Sequence, residues 1–300
     1  MTRKEFLMAR YGEMAERYVS KHMEFFLNPS LHRIDPFKIA DGLYYVGDKN
    51  VCIHLIETSE GLILLDSGYL GATHLLVDSI WRAGFDPKNV AWIIHTHGHS
   101  DHFGASDEFR SMYGTRLAIS RVDAQRLRVP GSVHVNKALY PLAKVPEFDR
   151  ELEDGEIFQL GDVKIRCVLT PGHTEGVLTL FFDVTDQGKT YLAGLFGGAG
   201  VNAVSLPYIC RNGSPADSAE QMLASLEKIW DEPIVVHLGN HPYNNHTLEK
   251  RQKQLEEGGN PFVAPDSWHA FLSDLKAKIK TVMANNEALE AQMRELGIEA

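Results

Sequence analysis

The sequence predicts an α/β (α+β) protein with helical extensions at both termini. Short apolar runs rich in β-branched residues recur between residues 43 and 238, bounded by Gly, Asn, Asp and Ser turns. Segments with apolar residues at three- and four-residue spacing lie between and around them. Two of the apolar strands empty directly into loops that carry histidine. Val90–Ile94 leads into residues 95–102, and Val163–Leu169 leads into residues 170–176. A rigid strand that ends in a polar loop is a common way to aim functional side chains into a cleft.

Composition sets the outer bounds. The 300 residues suffice for one large domain or two small ones. Hydrophobic content of 44% and charged content of 23% are ordinary for a globular enzyme. A formal net charge of −10 argues against a general nucleic-acid or anionic-membrane surface. No apolar run is long enough to span a bilayer. Met1-Thr2-Arg3-Lys4-Glu5-Phe6 lacks the apolar core of a secretory signal. Cys52, Cys167 and Cys210 are widely spaced and form no Cys-x-x-Cys unit. A reduced, cytoplasmic protein is the expectation.

Residues 3–27 read as a helix. Phe6, Leu7, Tyr11, Met14, Tyr18 and Phe25 supply its apolar positions, and Asn28-Pro29 ends it. Such a helix either packs on its own domain or acts as a dimer arm or pocket lid. Leu43–Val46, Val51–Glu57 and Leu62–Asp66 read as successive strands joined by Gly47–Asn50 and Ser59–Gly61. A helix over 72–83 stops at Gly84, and Asp86-Pro87-Lys88 turns the chain into Val90–Ile94.

That strand opens into His95-Thr96-His97-Gly98-His99-Ser100-Asp101-His102, four histidines and one aspartate in eight residues. Alternate residues of extended chain point the same way, so His97 and His99 can converge on one ion. Asp101 and His102 follow after a turn and can serve a second. Imidazole and carboxylate are ordinary ligands of zinc and similar divalent metals. His95 reads as a neighbour of the site.

Further along, Ala105–Tyr113 and 121–128 read as helices and Leu117–Ile119 as a strand. The stretch 129–146, which includes His134, has no clear period and is a candidate pocket wall. Gly155–Leu160 and Val163–Leu169 form a hairpin across Gly161-Asp162. The second strand feeds Thr170-Pro171-Gly172-His173-Thr174-Glu175-Gly176, which repeats the design of the first histidine loop. Val177–Val184, Lys189–Ala193 and Ile234–Leu238 are further strands. Helices cover 216–230 and 247–257, and a charged helical tail covers 266–296. The tail either folds back on the domain or serves a partner.

The segment His97-x-His99-x-Asp101-His102 resembles the signature of the metallo-β-lactamase superfamily, and Thr170-Pro171-Gly172-His173 resembles its next motif. The resemblance covers roughly residues 40–265. It implies a four-layer αββα sandwich with a one- or two-metal site at one edge. The corresponding division is an extension over 1–35, a metal-hydrolase domain over 36–265 and an extension over 266–300. The resemblance places His97, His99 and His173 on one metal, and makes Asp66 a support that orients the metal loop. Many family members carry a metal-bridging aspartate after the strand that here reads Tyr191-Leu192-Ala193-Gly194. This chain has Leu195-Phe196-Gly197-Gly198 instead, with no cysteine ligand either.

That departure is similar to the third subclass of metallo-β-lactamases, whose second metal takes aspartate and two histidines. Its last histidine lies in a His-Pro context, here Gly239-Asn240-His241-Pro242. The second set is then Asp101, His102 and His241, with His237 and His246 as competitors for the last place. The implied function is a dinuclear zinc hydrolase in which metal-held hydroxide attacks a cyclic amide (β-lactam-like) or related carbonyl. Asp101 would orient the hydroxide and accept its proton. Manganese or iron also suits these donors. A lactone or ester hydrolase, or a metal-binding assembly protein with little activity, is the alternative. The partner expected is a small-molecule substrate, with the terminal helices available for homo-oligomer formation.

Overall fold

The computed structural model describes residues 1–129 and 144–298, so most of the stretch 129–146 and His134 lie outside the described residues. Two sheets face each other. The first runs β1 (Phe37–Ala40), β2 (Leu43–Tyr45), β3 (His54–Thr58), β4 (Gly61–Leu65), β5 (Val90–Ile94), β6 (Arg116–Ser120) and β7 (Arg150–Leu152) in spatial order. The second has the order β12-β11-β10-β9-β8, made of β8 (Glu156–Leu160), β9 (Val163–Leu169), β10 (Leu178–Asp186), β11 (Lys189–Phe196) and β12 (Ile234–Leu238).

Side-chain alternation explains the layers. In β4, Ile63 and Leu65 enter the core between the sheets, while Leu62 and Leu64 join an outer cluster with Leu76, Ile80 and Phe109. A strand buried on both faces needs an unbroken apolar run, and Leu62-Ile63-Leu64-Leu65 is one. The outer cluster is closed by α2 (Thr73–Arg82) and α4 (Ser106–Tyr113); a short α3 (Ser100–Phe103) lies between them in the chain and α5 (Arg121–Arg128) follows. On the other side, α6 (Leu206–Asn212) is followed by α7 (Ser218–Lys228), α8 (Thr247–Glu257) and α9 (Ser267–Glu295). Met222 and Leu226 of α7 and Trp268, Leu272, Leu275 and Ile279 of α9 pack on Phe181 and Ile234 of the second sheet. The result is the αββα sandwich. Each fully buried Leu, Ile or Phe in it contributes about 1.5–3 kcal/mol.

The terminal helices bury apolar residues on their own chain. On α1 (Arg3–Leu27), Phe6 and Leu7 cluster with Met293 and Ile298, packed against Leu206 and Cys210 of the α6 region. Arg3 holds Glu290 in a two-pronged ion pair at 2.6 and 2.8 Å. No helix of the described residues is long and apolar enough to cross a membrane.

Strand direction positions the site. β4, β5 and β6 are mutually parallel, so the segments after Leu65, Ile94 and Ser120 emerge at one edge. β11 pairs parallel with β12, and β9 runs the same way because both are antiparallel to β10. The segments after Leu169, Phe196 and Leu238 therefore emerge together as well. Ligand sites form where the carboxyl ends of strands gather.

Four local features differ from the sequence expectation. β1, β7 and α6 are short and carry too little periodicity to be read without their partners. The strand expected from Val51 begins at His54, because the Cys52 amide leaves the ladder and donates to the Asn240 carbonyl at 3.0 Å.

Candidate metal centre

Three ring nitrogens meet at the mouth between the sheets. His97 Nε2 lies 3.0 Å from His99 Nδ1, which lies 2.9 Å from His173 Nε2. Beside them, the Asp101 carboxylate faces His102 Nε2 at 3.6 Å and His241 Nε2 at 3.7 Å. The two trios adjoin, with the His97 and His102 rings 4.2 Å apart between centroids. Within each trio the donor atoms lie within 4.8 Å of one another. Thus all six residues expected as ligands from the sequence are brought together.

The outward nitrogens show what the inward ones must be. His173 Nδ1 donates to the Gly200 carbonyl at 2.7 Å, and His241 Nδ1 donates to the Asn50 carbonyl at 2.6 Å. A carbonyl only accepts, so each of these neutral rings keeps a bare lone pair on Nε2. His102 Nδ1 donates to Asp66 Oδ2 at 2.7 Å. The Thr96 hydroxyl donates to Asp66 Oδ2 at 2.9 Å and therefore accepts from His97 Nδ1 at 3.1 Å. His97 Nε2 is then bare too. One proton on His99 Nδ1 cannot satisfy both neighbours. In the second trio two lone pairs face an anion at distances too long for hydrogen bonds. A divalent cation satisfies every one of these atoms, so the residues present fit a two-metal group.

Burial favours the neutral form of His97, His173 and His241. It pushes His97 well below the ordinary imidazole value and His173 down to about 4. His241 is also lowered, first by burial and then by His102. Burial pushes His102 down as well, but Asp101 and Asp66 outweigh it and hold that ring above the ordinary value. Burial raises the Asp101 carboxyl, yet His102 and His241 outweigh it and hold the group below the usual carboxylate value.

Asp66 sits beneath both trios. Its backbone is left-handed, at φ 65°, an uncommon state that Asp tolerates better than most residues. Besides the bonds to His102 and the Thr96 hydroxyl, its Oδ1 accepts the Thr96 amide at 2.7 Å. His95 stands apart, bonded to the Ala118 carbonyl and Ser106. His237 faces the helical layer, 4.6 Å from the Phe271 ring, and His246 is exposed before α8. At the rim, the Tyr208 hydroxyl meets His99 Nε2 at 3.0 Å, and Tyr243 stacks on His241 at 5.3 Å.

The end of β11 brings no carboxylate, since Leu195-Phe196-Gly197-Gly198 stands there, and its glycines pack closely. A Cβ on Gly197 would meet the Leu178 carbonyl at 2.2 Å and the Thr96 side chain at 2.8 Å. One on Gly198 would meet His173 at 2.9 Å. The backbone here lies directly against the metal loops. Sequence reading missed Asp123, which is buried and accepts bonds from the loops of both first-trio segments. Burial raises its carboxyl to about 6 despite these bonds. Its only local signal, Ser120-x-x-Asp123, reads as a helix start.

Residues 46–185 match the family described as the metallo-beta-lactamase superfamily. A subclass B3 metallo-beta-lactamase of Bradyrhizobium japonicum superposes with a TM-score of 0.78 and 27% identity, over 86% of this chain and 97% of that one. Fold and family match both point to the metallo-beta-lactamase superfamily. A metallo-beta-lactamase from Legionella gormanii aligns with this chain at a TM-score of 0.76 and 26% identity, over 85% and 98% of the two chains. Among curated relatives, a beta-lactamase hydrolase-like protein of Xylella fastidiosa is 26% identical over 218 residues, covering 69% of this chain. A hydroxyacylglutathione hydrolase of Acidiphilium cryptum is 31% identical over 106 residues, covering 35% of it. The chain spans 47% of the first of these relatives and 35% of the second.

Proposed function

We propose that the protein is a dinuclear zinc hydrolase acting on a cyclic amide, a β-lactam or a ring of similar strain. The observation that carries this reading is the pair of trios whose inward nitrogens are left as lone pairs by the acceptors behind them. His97, His99 and His173 would hold one ion, and Asp101, His102 and His241 the other. Bound there, two divalent ions supply a water of pKa about 7 in place of 15.7 and polarise the carbonyl oxygen. Three protein ligands per ion are the number found in catalytic rather than structural sites.

The chain's own residues orient and deprotonate. The Asp101 carboxylate lies between His102 and His241, where it can orient the attacking water and take its proton. Asp66 and the Asn50 and Gly200 carbonyls fix the ring tautomers. No thiol is needed as nucleophile, and Cys52 and Cys167 are buried in the core between the sheets. The match to a subclass B3 enzyme over 97% of its length supports the cyclic amide. The lack of a carboxylate in Leu195-Phe196-Gly197-Gly198, at the end of β11, also supports it.

A second reading, lactone or ester hydrolysis on the same centre, is favoured by the hydroxyacylglutathione hydrolase relatives. The deciding experiment assays zinc-loaded protein against a chromogenic β-lactam, a lactone series and simple esters. Fastest turnover of the lactam supports the first reading, and turnover confined to lactones or esters selects the second. Two bound ions with no turnover of any of them would leave a metal-binding assembly protein.

A further inference from the structure

Asp123 is buried in the first turn of α5, where the helix end is already served by Ser120, whose hydroxyl accepts the Asp123 amide at 3.1 Å. In a capping box the carboxylate at this position would turn back to the cap residue. Here both oxygens face the metal loops. Oδ2 accepts the Gly98 amide at 2.6 Å and the Thr174 hydroxyl at 2.8 Å, and Oδ1 accepts the Gly176 amide at 2.9 Å. Gly98 lies between His97 and His99, and Thr174 follows His173. All three bonds therefore go to the two loops that supply the first trio.

The glycines make this approach feasible. A Cβ on Gly176 would stand 2.5 Å from Asp123 Cγ and 2.3 Å from Ser120 Oγ. A Cβ on Gly98 would stand 3.3 Å from Asp123 Oδ2. Asp66, by contrast, bonds directly to His102 of the second trio.

Building on the two-ion reading, we infer that Asp123 is a positioning residue for the ion at His97, His99 and His173, setting the separation of the two loops that supply those ligands. A carboxylate is suited to this task because it accepts from three donors at once. Asparagine at this position would turn an N–H towards a backbone N–H and lose at least one of the three bonds. Partners behind metal ligands typically govern affinity by about 10–100-fold.

The test isolates each trio. His241→Ala leaves the first trio whole, and His173→Ala leaves the second whole. Co2+ binding is followed by visible absorption and by competition with a chromogenic chelator, with and without Asp123→Asn in each background. We expect Asp123→Asn to weaken Co2+ by about 10–100-fold in the His241→Ala background, and to shift its absorption band. In the His173→Ala background, affinity should be unchanged. Thr174→Val removes one bond at nearly constant shape and serves if Asp123→Asn does not fold. A smaller loss confined to the His241→Ala background supports the inference. Equal loss in both backgrounds, or none in the first, overturns it. Wild-type protein that takes up no Co2+ overturns the two-ion reading itself, whereas uptake of two ions with an unchanged Asp123→Asn titration overturns the inference alone.

Discussion

Asp66 Oδ2 accepts a hydrogen bond from His102 Nδ1 at 2.7 Å, and both side chains are only 1% exposed. The carboxylate decides which ring nitrogen of His102 carries the proton, and so leaves Nε2 bare towards Asp101.

Asp66→Asn is expected to weaken the second ion by about 10–100-fold. The amide would point a donor at His102 Nδ1–H, favouring the tautomer with its proton on Nε2. Asn also tolerates the left-handed backbone, so the φ of 65° is not the variable. Zinc competition titrations of wild type and variant check this, and identical second-site affinities would refute it.

Fully loaded protein should approach two divalent ions per chain. His173→Ala should remove the first ion preferentially, and His241→Ala the second. Metal analysis after zinc reconstitution measures both. A stoichiometry that stays at one would count against Asp101, His102 and His241 as a set, and second-ion loss on His237→Ala instead would displace His241.

Asp101→Asn keeps the shape but loses the charge and the proton acceptor. Turnover per bound metal pair at saturating zinc should fall ~10²–10⁴-fold. Unchanged turnover per pair would reduce Asp101 to a ligand alone.

His54 lies buried on β3, with neither ring nitrogen hydrogen-bonded among the described residues, and burial pushes its pKa down to about 4. A depressed folded value means that the stability is present above the unfolded value near 6.5. It is lost as pH falls from there through 4, by up to about 3 kcal/mol. His54→Leu should remove that dependence and leave the protein as stable or more stable at pH 8, since two unsatisfied polar atoms disappear. Urea melts of metal-free wild type and variant at pH 8 and 4.5 measure the difference. Parallel losses in the two proteins would show that His54 is not the group responsible.

The element types and all six candidate ligands were legible in the sequence, five of them through local histidine-loop signals and His241 through its His-Pro context. Val90–Ile94 and Val163–Leu169 are apolar runs that end in histidine loops, and those runs pair as β5 and β9. His241 stood among three histidines in one short stretch. Strand β12 turns His237 into the helical layer against Trp268 and Phe271 and ends so that His241 faces Asp101. The acceptors behind the ligands could not be read at all. His241 leans on a carbonyl 191 residues away, and His173 on one 27 residues away. A backbone carbonyl carries no sequence signal, so only chain packing can supply such partners. Asp123 is the clearest case. Its local pattern announces a helix start, and its three bonds to the metal loops exist because parallel β5 and β6 bring Gly98 beside it while β9 and β10 deliver Thr174 and Gly176 from the opposite sheet. The sequence by itself determined which side chains have the chemistry to hold two metals. The tertiary structure decided which nitrogen of each ring faces inward, because that choice is made by hydrogen-bond acceptors that only folding brings within reach.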